Sequence, residues 1–219
     1  MDEASWLRSA DPGPMLELVR GRASERKLRL FALACCHRIW HLREQDTCRR
    51  AVEAAERFAD GVAADSEVIA ALGKGRDWTL GRDLARQEAR QAAERLQWET
   101  VAAVAYYRQE AEGAAHYFQR TDWYLLTAAE RVAQAALARC IFGNPFRPAV
   151  ADPYWLGWNG GSLLALARSI YEDRRWEDMP VLADALEEAG CGDEGMLRHC
   201  RTGEHTRGCW VVDLLLGKA

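Results

Sequence analysis

The chain has 219 residues, 49% of them hydrophobic and 28% charged, with a formal net charge of -4. That length suits one large domain or two small ones and needs no stapled core, while the acidic balance argues against a general nucleic-acid or membrane binder. No apolar run approaches the roughly 18 residues of a membrane span, and the opening MDEASWLRSADPGP lacks the basic start and apolar stretch of a secretory signal.

Pro12 and Pro14 punctuate the start, and a short helix is expected over residues 14–20. Ser24 can cap the next helix, which runs to about Leu42. Its stripe of Leu28, Phe31, Cys35, Ile39 and Leu42, joined by Leu30, Leu33, Cys36 and Trp40 around the circumference, marks a helix buried among others. Cys48, Val52, Ala55, Ala59 and Val62 then step along one face of a half-buried helix, with Asp46 as its cap and Gly61 near its end. A short helix after Ser66 stops at Gly73, and GKGRDWTLG reads as a loop. Residues 82–112, rich in Ala, Arg, Gln and Glu, predict a long helix. Another follows Thr121, with Leu125, Leu126, Ala129, Val132, Ala133, Ala136, Leu137 and Cys140 on one stripe, and ends at IFGNPFRP. Shorter helices are expected over 162–174, 180–189, 193–201 and 208–217. Strand alternation appears nowhere convincingly. The predicted fold is an all-α, multi-helix orthogonal bundle, organised as an N-terminal bundle (1–142), a Gly/Pro-rich aromatic loop (143–161) and a C-terminal short-helix subdomain (162–219).

Two segments stand out as candidate surfaces. Residues 20–50 hold nine Lys/Arg against three acidic residues; this basic stretch, with Lys27 and Arg29, can meet an acidic partner or dock on acidic helices of its own chain. Residues 142–158 interleave Phe142, Phe146, Arg147, Tyr154, Trp155 and Trp158 with prolines and glycines. Those are the side chains that dominate protein contacts, although the same rings can instead seal a junction between helical halves.

The densest chemistry is CGDEGMLRHCRTGEHTRGC near the C-terminus. Seven irregularly spaced cysteines fit reduced, mostly buried thiols better than a disulfide framework. A zinc site on Cys191, Cys200, His205 and Cys209 is possible by residue type, but the set has no tight C-x2-C knuckle. Cys191 follows a helix-ending Gly190, Cys200 shares a helical face with Met196 and Leu197, and Cys209 lines up with Val212 and Leu216. Packing therefore accounts for each thiol, and only His205 lacks a packing role. His37 and His41, one helical turn apart, read as a helix surface against a neighbour. No nucleotide-binding or nucleophile-elbow motif is present, so no catalytic residue is assigned.

The stretches PMLELVRGRASERKLRLFALACCHRIWHL, IFGNPFRP, MPVLADALEEAGC and HTRGCWVVDLLLGK resemble a family of uncharacterised bacterial proteins abundant in planctomycetes. VLADALEEAGCGDEGMLR is similar to the short helical element of the repeat-companion domains of those bacteria. The resemblance spans the first sixty and last eighty residues, implies a cytoplasmic bacterial setting and carries no activity or cofactor. The expectation is a non-enzymatic helical interaction or adaptor module that binds another protein, not nucleic acid or membrane, and needs no cofactor. The alternative is a small zinc-binding domain over residues 191–209, associated with nucleic acid.

Overall fold

The computed structural model describes residues 1–38, 46–72 and 120–218. The helix expected over 82–112, the GKGRDWTLG loop, His41 and the helix end at Leu42 lie outside the described residues. Within them the chain is all-α, with no strand. The helices are α1 (Glu3–Arg8), α2 (Pro12–Val19), α3 (Glu25–Arg38), α4 (Asp46–Ala59), α5 (Asp65–Leu72), α6 (Arg120–Phe142), α7 (Pro153–Gly157), α8 (Ser162–Asp173), α9 (Met179–Glu188), α10 (Glu194–Arg201) and α11 (Trp210–Leu216).

Two compact units emerge, one of residues 1–22 with 131–219 and one of residues 23–130. The division expected from the sequence lies at residue 142. The boundary falls inside α6, where periodicity gives no sign of it, because long-range contacts decide it. Trp6 is wholly buried and its indole N–H donates to the Gly143 carbonyl at 3.0 Å. Arg139 donates to the Ser9 carbonyl at 2.8 Å, and Asn144 to Glu3 Oε1 at 2.8 Å. The first two helices thus belong with the C-terminal part of the chain. α1 was not anticipated: Asp2 caps it by accepting from the Ser5 amide, a local signal hidden in a short polar segment.

In the first unit the core is built from one face of each short helix. Leu163, Ala167 and Ile170 come from α8, and Met179, Leu182, Ala183 and Leu186 from α9. Met196 and Leu197 of α10 meet Val211, Val212 and Leu215 of α11 in the same cluster. Each fully buried side chain of this size contributes roughly 2 kcal/mol of transfer free energy. Capping follows the sequence closely. Pro180 sits in the first turn of α9, and Asp193 Oδ1 accepts from the Met196 amide at the start of α10.

The second unit packs α3, α4 and α5 around Leu30, Phe31, Ala34 and Cys35 of α3 and Ala54 and Ala59 of α4. Three of its basic residues meet acids of the same unit. Arg26 Nε donates to Asp60 at 3.0 Å, Arg29 to Glu25 at 3.0 Å and Arg38 to Glu130 at 3.1 Å. His37 Nε2 lies 2.7 Å from the buried Glu56 carboxylate, a contact across α3 and α4.

Candidate functional site

The segment expected to form an irregular aromatic loop contains a short helix, α7, capped by Asp152 accepting from the Tyr154 amide at 2.8 Å. That single turn separates the rings. Trp155 turns inward, at 8% exposure, and joins the core, while Trp158 is partly buried against it. Both side chains pack on the core of this unit, Trp155 from α7 and Trp158 from the residue that follows it. Tyr154 is 66% exposed, and Phe146 and Val150 are 38% and 82% exposed. Arg147 is exposed and pairs with Glu3 at 2.8 Å. In the other unit, Lys27 is half-buried and Arg29 stacks its guanidinium over the Phe58 ring at 4.9 Å.

The Cys/His-rich tail organises differently from the set expected on its spacing. Cys191 Sγ lies 3.9 Å from the Met196 thioether and Cys200 is fully buried among apolar neighbours. Burial pushes both thiols above their ordinary range. These two are packing material, as their helical positions suggested. His205 and Cys209 are gathered instead with Cys140 and His199, and the four ligand atoms all lie within 4.8 Å of one another.

Each of the four is delivered by a local rule. The last turn of α6 carries Cys140, and Gly143, in the left-handed region at φ 66°, ends that helix with its amide bonded to the Arg139 carbonyl. α10 packs Met196, Leu197 and Cys200 inward, which leaves the neighbouring His199 half-buried at the rim of the core. After α10 the chain turns back through residues 202–208, and the Cys209 amide donates to the Thr206 carbonyl at 2.9 Å, folding His205 over Cys209. Trp210 then packs its ring against His199, with centroids 5.5 Å apart.

Within the cluster, His199 Nε2 is 3.3 Å from Cys209 Sγ. His205 Nδ1 is 3.9 Å from Cys209 Sγ and 4.0 Å from Cys140 Sγ. The two imidazoles meet edge to face, with centroids 4.9 Å apart. Complete burial acts to raise the Cys209 thiol, yet hydrogen bonds from Cys140, His199 and His205, with the charge of His199, outweigh it and hold the thiol well below its ordinary value. Two soft sulfurs and two imidazole nitrogens facing one point are a set that can hold a metal ion.

Of the four, the sequence singled out His205 as the residue without a packing role. His199 was passed over beside Cys200, and Cys140 was hidden on an apolar stripe 59 positions before His199. The close pair His205-x3-Cys209 was the available signal. No family model, no curated protein and no solved structure matches the chain.

Proposed function

We propose that the chain is a non-enzymatic helical module that binds another protein through the segment 146–156. The observation supporting this is where exposed apolar surface gathers. Among the described residues, four of the nine exposed large hydrophobic side chains, Phe146, Val150, Tyr154 and Leu156, fall in this one short segment, a concentration along the chain of the kind that marks contact surfaces. Trp155 and Trp158, packed against the core beneath, give it a firm base, which lowers the ordering cost of binding. None of the described helices is long and apolar enough to cross a membrane.

The test is recovery of associated protein from cell extract of the native host, with the wild-type chain compared to Val150→Asp/Tyr154→Asp. Val181→Asp, at another exposed apolar position, serves as the control. The expected result is a co-purifying protein lost from the double variant and retained by the control, with far-ultraviolet circular dichroism unchanged in all three. Equal recovery by the wild type and the double variant refutes the reading.

A further inference from the structure

We propose that Cys140, His199, His205 and Cys209 form a structural zinc site that ties the end of α6 to the C-terminal helices. It uses none of the residues proposed to meet a partner, and it stands or falls independently of that reading.

The geometry argues first. A tetrahedral zinc with Zn–S near 2.3 Å and Zn–N near 2.0–2.1 Å sets its ligand atoms about 3.4–3.8 Å apart. The 3.3, 3.9 and 4.0 Å separations bracket that range. All four atoms fit within 4.8 Å, so modest side-chain movement brings them onto one centre. A common central ion accounts for all three separations together.

Chemistry narrows the ion. Two thiolates and two imidazoles in a tetrahedral set select zinc over magnesium or calcium, which require oxygen donors, and the cluster contains no carboxylate. As each sulfur takes the metal its thiol proton passes to solvent, so two thiolates neutralise the dication and the core receives no net charge. All four positions are protein ligands, and Cys140 and Cys209 are almost completely buried. No position is left for water or substrate. The site is therefore structural and not catalytic.

Topology supplies the purpose. The ligands come from the last turn of α6, from α10, from the following loop and from the start of α11. Residues 202–208, between α10 and α11, contain no regular helix, and His205 sits midway along them. A metal bond at His205, with others at His199 and Cys209, fixes that loop and hence the entry angle of α11. The bond to Cys140 ties both to a helix distant in sequence.

The test is metal analysis of the full chain purified under reducing conditions. Titration with zinc against a chromophoric chelator and replacement by cobalt follow. One zinc per chain is expected, and cobalt should give the intense visible bands of a tetrahedral centre with thiolate charge transfer. His205→Ala, at a half-buried loop position, is expected to fold with unchanged helicity and to lose at least 100-fold in zinc affinity. Cys140→Ala should do the same where it folds. Cys191→Ala is expected to keep stoichiometric zinc. Removing the metal should lower the thermal midpoint of the wild type and leave that of His205→Ala unmoved. The proposal is overturned if the wild type takes up no zinc, if an octahedral cobalt spectrum appears, or if zinc survives in His205→Ala and is lost in Cys191→Ala.

Discussion

Gly143→Ala is the sharpest test of how α6 and α11 meet. Gly143 has φ 66°, and a left-handed backbone costs a residue with a Cβ about 1–2 kcal/mol. The added carbon would also lie 3.1 Å from Trp210 Cγ and 3.2 Å from Cδ2. Neither atom is a flexible tip, since the indole leads α11 and its ring rests on His199. Overpacking of this kind costs about 1–3 kcal/mol, so a total near 3 kcal/mol is expected. Gly190→Ala isolates the backbone contribution: its φ is 88° and a Cβ there meets nothing within 4 Å, so about 1–2 kcal/mol is expected. Urea denaturation followed by circular dichroism, with chelator present to remove any metal contribution, measures both. The midpoint should drop further for Gly143→Ala than for Gly190→Ala at an unchanged slope. Equal losses would show that Trp210 yields without cost and would refute the close-packed junction. With zinc present, Gly143→Ala should also bind the metal more weakly, because Trp210 neighbours Cys209.

Asp193→Ala removes the cap of α10 and should cost about 1 kcal/mol. Calorimetry is the check, and a loss below a few tenths would mean that the Met196 amide finds another acceptor. The Cys191 thiol is raised above its ordinary value of 9.0, chiefly by burial. Its stabilising contribution is therefore fully present below the unfolded value and is lost as pH climbs through the raised folded one. Thermal midpoints should fall on the alkaline side of pH 9, and less steeply in Cys191→Ala; parallel falls in the two proteins would contradict the assignment.

Local information reached far into this fold. Apolar stripes at helical spacing located α2 to α6 and α8 to α11, because burying one face of a helix imposes its period on the sequence. Caps and breakers such as Asp193, Pro180 and Gly143 placed the ends, since backbone amides and carbonyls at helix termini must find partners. The same logic assigned Cys191 and Cys200 to the core. It could not sort the other cysteines and histidines, because a thiol on an apolar stripe looks alike whether it packs or ligates. Cys140 has the spacing of a core residue and becomes a candidate ligand only when α6 ends beside α10 and α11. Trp155 and Tyr154 are equally aromatic and adjacent in sequence, and the one turn of α7 sends the first inward and the second to solvent. What the amino-acid order determined was which residues make helices and which faces are greasy. The meeting of four soft donors from distant positions, and the docking of α1 and α2 on the C-terminal part, depend on long-range contacts with no local period to announce them.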